Sequence, residues 1–119
     1  MIRGKYYNLE YLEEISEGDK NFINDMLSEF IKSTPGVLVQ LKQLAIEGNW
    51  NQLHYVAHKF APSFDFVGAE QIKNDVNRLE EYSKDVKNID EIHPLIDIIK
   101  KLSDQIIIEL KNDFKIDAL

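Results

Sequence analysis

His58 is the side chain in this sequence best placed to do chemistry. It stands in Ala57-His58-Lys59-Phe60-Ala61-Pro62-Ser63-Phe64-Asp65-Phe66-Val67-Gly68-Ala69. At about 100° per residue, with His58 as zero, Trp50, Leu53, Val56, Ala57, Phe60 and Phe64 fall between roughly 160° and 280°. Those residues make one apolar stripe that docks a helix onto a core. Asn51, His54, Tyr55 and Pro62 lie within roughly 60° of His58, so His58 points away from the packed side. An exposed imidazole, with an ordinary pKa of about 6.5, is largely unprotonated and nucleophilic at neutral pH.

Other arrangements that carry chemistry are weaker. His54 and His58, four apart, form the one metal-like pair. Zinc needs a third ligand, and Tyr55 occupies the place that a glutamate takes in a metalloprotease helix motif. No metal site is therefore expected. His93 lies far off in sequence and reads as a solvated residue at the start of the last helix. Carboxylate pairs such as Glu80-Glu81 and Asp90-Glu91 read as solvated faces and helix first turns. No nucleophile triad, phosphate-cradling Gly-rich loop or ATP motif is present.

The 119 residues, 44% of them hydrophobic, are enough for one domain spanning 1–119 with a core that needs no staple. Cysteine is absent, which excludes disulfides, thiol nucleophiles and thiolate zinc sites and fits a reducing cytoplasm. The net charge of -7 argues against nucleic acid, since a phosphate backbone calls for a basic face. No apolar run approaches the roughly 20 residues of a membrane span. Met1-Ile2-Arg3-Gly4-Lys5 has basic residues but no apolar segment after them, so no signal peptide is expected.

The elements that must position His58 all read as helices. A short first helix is expected near residues 8–15, with Asn8 as N-cap and Leu9, Leu12 and Ile15 on one side. Asp19 caps a long arm over 19–47, broken or kinked near Pro35 and stopped by Gly48. Asn49 with Gln52 suggests a capping box opening the histidine helix, which is expected to run to about Phe64. Pro62 removes the N–H that would bond the His58 carbonyl, so this helix either bends there or ends early. Asp65-Phe66-Val67-Gly68 makes a tight connection to a helix over about 69–86, with Ile72, Val76, Leu79 and Tyr82 inward. A polar turn at 87–90 leads to a last helix over about 91–114 that holds Pro94 in its first turn. Short connections favour antiparallel neighbours. The expected fold is all-α, an antiparallel up-down four-helix bundle over 19–114 with a short N-terminal helix packed on one end.

The order and spacing of Tyr11-Leu12-Glu13-Glu14-Ile15-Ser16-Glu17-Gly18-Asp19, Phe22-Ile23, Phe30, Gly48-Asn49-Trp50, Ala57-His58-Lys59-Phe60, Ser63, Gly68-Ala69 and Leu79-Glu80 resemble the histidine phosphotransfer (HPt) domains of bacterial phosphorelays. The resemblance runs from about Tyr7 to Glu81. It implies a four-helix bundle with a phosphorylated histidine, His58, exposed near the middle of one helix. It also implies phosphoryl exchange with aspartates of response-regulator receiver domains, a hybrid sensor kinase as upstream partner, and no autonomous kinase activity. No cofactor is implied on this chain, since the metal ion, Mg2+, belongs to the receiver. Attack of an imidazole on an acyl phosphate needs access, in-line positioning and a counter-charge, which one histidine without a triad can meet.

Two positions depart from the family pattern. Ala61 stands where the family usually has a lysine, one turn after the histidine, and Pro62 stands where it usually has glycine. Lys59 lies about 100° round the helix and substitutes only through its long stem. Lys59, His54, Tyr55, Ala61, Pro62 and Gly68 are thus the supporting or partner-facing residues around His58. The chain is expected to be a free-standing, cytoplasmic monomer. The alternative is a non-catalytic HPt-like helical adaptor that binds a receiver without phosphoryl transfer, motivated by the missing lysine. A zinc-dependent enzyme is more distant.

Overall fold

The computed structural model describes residues 3–115. Met1 and Ile2 of the basic N-terminus, and the last four residues of the expected 1–119 domain, lie outside the described residues. Six helices follow one another: α1 (Glu10–Ser16), α2 (Lys20–Glu47), α3 (Trp50–Phe60), α4 (Pro62–Phe66), α5 (Glu70–Asp85) and α6 (Ile89–Phe114). The described residues contain no strand, only an isolated antiparallel bridge between Arg3 and Asn8. Four of the helices close a ring, α2 on α3, α3 on α5, α5 on α6 and α6 on α2, with α1 resting on α2 and α4. This is the up-down bundle with a short N-terminal helix that the hydrophobic periodicity demands.

The helix ends follow local chemistry. Asp19 Oδ1 accepts from the N–H groups of Asn21 and Phe22 at 3.0 and 3.2 Å and opens α2. Gly48, at φ +67°, closes it, with the Gly48 and Asn49 N–H groups donating to the Ala45 and Leu44 carbonyls. Asn49 Oδ1 accepts from the Gln52 N–H at 3.3 Å, but its own N–H is committed to Leu44, so only half of the expected capping box forms. Leu9 rather than Asn8 is the residue flanking α1, and Asn8 Oδ1 still accepts from the Glu10 N–H at 3.0 Å. α6 starts at Ile89, two residues before the expected Glu91, so Pro94 falls in its second turn instead of its first.

The ring is uneven. α2 has 28 residues and α6 has 26, whereas α3 and α5 have 11 and 16. Twenty-eight residues rise about 42 Å, which matches the 41 Å long axis of the molecule. Joined to α2 by a short turn, α3 lies beside its C-terminal half; α5 likewise lies beside the N-terminal part of α6. The first turns of α2 and the last turns of α6 project beyond them. That projecting end buries Ile23, Leu27, Ile106 and Leu110, and the N-terminal segment closes it with Tyr7, Leu9 and Leu12, all buried.

Polar contacts hold this closure. The Lys5 and Tyr6 N–H groups donate to the two Glu109 carboxylate oxygens at 2.7 and 2.8 Å, and the Tyr7 hydroxyl donates to Asp113 Oδ2 at 2.6 Å. The Asn8 N–H donates to the Val67 carbonyl at 2.9 Å. Between the N-terminal segment and the start of α5 lies an open groove of about 910 Å³. No helix of the described residues is long and apolar enough to cross a membrane.

Gly68 is obligatory in this arrangement. It sits at φ +62°, and a Cβ there would lie 2.0 Å from the Asn8 carbonyl oxygen. Gly68→Ala is therefore expected to destabilise by about 2 kcal/mol or more. Gly36→Ala, inside α2 with open space around the new methyl, should stabilise by about 0.5–1 kcal/mol. Urea unfolding of the two variants checks both signs.

The Tyr7 phenol is pushed well above the usual tyrosine range, first by burial and then by its hydrogen bond to Asp113 and the charges of Asp113 and Glu109. An unfolded tyrosine loses its proton near pH 10, while the folded one keeps it. Its contribution is thus complete below about pH 10 and is lost as pH rises further. Unfolding followed above that pH should show falling stability, and Tyr7→Phe should flatten the decline.

Candidate functional site

α3 places its residues as the helical wheel requires. Leu53, Ala57 and Phe60 are buried, as is Phe64 in α4, and Trp50 and Val56 are partly buried against the core. His58 lies opposite, its side chain 75% exposed. It stands in the last turn of α3 rather than mid-helix. The reason is Pro62: α3 ends at Phe60, Ala61 keeps helical angles, and Pro62 becomes the first residue of α4. Of bending and early ending, the chain takes the second, with five helical residues picked up after it.

The contact that defines the site crosses from α3 to α5. His58 Nδ1–H donates to Glu80 Oε1 at 2.6 Å, and His54 Nδ1–H donates to the Glu80 backbone carbonyl at 3.0 Å. A carbonyl or an ionised carboxylate can only accept, so each acceptor fixes the hydrogen on Nδ1. The Nε2 of neutral His58 then carries its lone pair on the side of the ring away from Glu80. The two imidazoles stack with centroids 6.1 Å apart and planes 22° apart. Glu80 is held firmly, its side chain only 15% exposed.

This corrects the sequence reading of Glu80 as part of a solvated face. Glu80 lies four residues after Val76, beside the buried stripe of Ile72, Asp75, Val76 and Leu79. That offset was the available signal. Its partner 22 residues earlier was not legible before α3 and α5 were packed together.

Of the remaining expected residues, Tyr55 is exposed and the Lys59 ammonium sits over its ring, 5.8 Å from the centroid. Pro62 is exposed next to them in sequence. Ala61 is 7% exposed and belongs to the core, which overturns its placement on the open side. As the residue that caps α3, it falls on the side that the bundle closes over. Gly68 is taken up by Asn8 and lines the N-terminal groove, of which His58 is no part. Its role among the described residues is to let the Asn8 backbone approach.

No protein-family model, curated protein or solved structure matches this chain.

His93 is exposed on α6, which is not one of the main packing partners of α3, and it makes no contact with the pair among the hydrogen bonds and ring pairs of the described residues. Among the described residues no group of three or more His, Asp or Glu side chains is arranged to hold a metal ion. What the geometry offers is an exposed imidazole, His58, oriented from behind by a sheltered carboxylate, with the ring of His54 stacked beside it.

Restoring a lysine at position 61 is expected to cost stability, about 1–3 kcal/mol from overpacking and burial of the lysine stem, instead of adding a useful charge beside His58. A thermal melt of Ala61→Lys compared with Ala61→Ser checks this.

Proposed function

We propose that this chain is an HPt-like phosphorelay intermediate. His58 Nε2 accepts a phosphoryl group from an aspartyl phosphate on a response-regulator receiver domain and passes it to the aspartate of another. The single observation that carries this reading is the exposed His58 ring with its Nδ1–H fixed by Glu80. That arrangement leaves the Nε2 of His58 as a free nucleophile.

In the forward step the Nε2 lone pair forms the N–P bond, and the aspartate carboxylate leaves with the electrons of the broken O–P bond. The ring becomes positive while it keeps its Nδ1–H. The Glu80 carboxylate, already hydrogen-bonded to that N–H, stabilises the charge as it develops. The return step reverses this: a receiver carboxylate attacks phosphorus and neutral imidazole departs. A receiver domain with its bound Mg2+ supplies the charge that polarises the acyl phosphate, and a hybrid sensor kinase is the source of the group.

The adaptor alternative rested on the absence of a lysine at position 61. Burial of Ala61 weakens that motive, because the position faces the core. The ordered Nδ1–H bond likewise favours a reactive histidine over a bland one.

Incubation with a phosphorylated receiver should give acid-labile, base-stable label on His58. His54→Gln and His93→Gln should retain the label, and His58→Gln should lose it. Glu80→Gln keeps a hydrogen-bond acceptor but no charge, and should accept phosphate about ten-fold or more slowly with unchanged folding. Label that survives in His58→Gln would sink the assignment.

A further inference from the structure

A phosphoryl group on His58 Nε2 brings roughly two negative charges to a surface whose anchored neighbour, Glu80, is itself anionic. A cation has to meet it. Ala61 offers none, and the Lys59 ammonium is drawn over the Tyr55 ring. His54 remains. Its Nδ1 carries a hydrogen whatever the ring's charge, because that atom faces a carbonyl oxygen. The nitrogen left free to gain or lose a proton is Nε2. Both rings are pinned at Nδ1 by the same residue of α5, so both Nε2 atoms lie on the side away from Glu80. A ring spacing of 6.1 Å leaves room for a phosphoryl oxygen on His58 to stand about 2.8 Å from His54 Nε2.

We propose that His54 is the proton-dependent counter-charge of the phosphorylated site. When His58 is phosphorylated, His54 Nε2 takes up a proton from solvent and donates the new N–H to a phosphoryl oxygen. The proposal rests on the reading of His58 as phospho-acceptor and adds a pH control to it. Neutral His54 would turn a lone pair toward the phosphoryl oxygens; charged His54 turns a donor toward them. The benefit to the phosphorylated form is complete in mild acid and is lost as pH rises and His54 gives up this proton.

The charged groups around the pair are few. On α5, Glu80 lies behind both rings, and Glu81 and Lys84 beside it are exposed, Glu81 being paired with Lys87. Within α3, Lys59 is the only further charged residue. α2 and α4 meet the apolar side of α3. Among the described residues they place no carboxylate within ion-pair distance of either ring.

The test uses the intact chain and phosphoramidate, which needs no receiver. Its P–N bond breaks as His58 Nε2 attacks phosphorus, and ammonia departs. Histidine ring resonances are then followed by NMR as pH is varied, before and after phosphorylation. The His54 titration midpoint should rise by about half a pH unit, while that of remote His93 stays in place, and phosphoramidate-treated His58→Gln should show no rise. In transfer from a phosphorylated receiver, His54→Gln should accept phosphate about two- to five-fold less well than the parent near pH 6.5 and equally well near pH 9. His54→Arg, which keeps a fixed charge, should restore acceptance and remove the pH dependence. If phosphoramidate labels His58 but His54 moves no more than His93, the counter-charge proposal is overturned and the acceptor reading stands. If the label lands elsewhere, both are overturned.

Discussion

The structure depends on a mismatch of helix length. Two helices of 28 and 26 residues pack against two of 11 and 16, so the ring of four cannot close along its whole height. The projecting ends of α2 and α6 carry apolar side chains that water would otherwise reach. Tyr7, Leu9 and Leu12 cover them, and each fully buried leucine contributes about 1.5–3 kcal/mol. The pairing of Glu109 with two successive backbone N–H groups, and of Tyr7 with Asp113, pins this cover where hydrophobic contact alone would let it slide. The left-handed turn at Gly68 belongs to the same closure, since it lets the Asn8 carbonyl approach.

The opposite part of the bundle, where all four helices stand side by side, holds His54, His58 and Glu80 together. α3 and α5 pack more extensively on each other than any other pair, and Glu80 exploits that contact twice. Its backbone carbonyl holds one imidazole and its carboxylate holds the next. A carboxylate this sheltered loses part of its hydration, so a strong donor nearby is worth more to it than at an open surface. The His58 N–H meets that need, and the same bond orients the ring. Helix packing and site geometry are here one interaction seen from two sides.

Proline shows how far local rules reach. Pro35, Pro94 and Pro62 each lack the N–H that a helix interior uses. α2 nevertheless runs unbroken through Pro35, because Ile31, Thr34 and Leu38 are buried on either side of it and hold the helix to the core. α6 tolerates Pro94 in its second turn in the same way, between buried Ile92 and Leu95. At Pro62 the chain must also turn back within six residues to reach Gly68, and there the helix ends. The same residue gives two outcomes, decided by what its neighbours bury.

Periodicity by itself determined the all-helical class, the number of long helices, the stop at Gly48, the cap at Asp19 and the outward direction of His58. Each is a consequence of side-chain spacing along one helix or of backbone freedom at one residue, and needs no knowledge of a partner. The tertiary structure alone decided the burial of Ala61, the role of Gly68 and the partnership of Glu80 with His54 and His58. An alanine sixty degrees from an exposed histidine faces water or core according to which neighbouring helix leans over it. A glutamate at the margin of an apolar stripe is solvated or sheltered by the same test. These questions concern contacts between segments 22 to 60 residues apart, and no local pattern encodes the lateral placement of one helix on another.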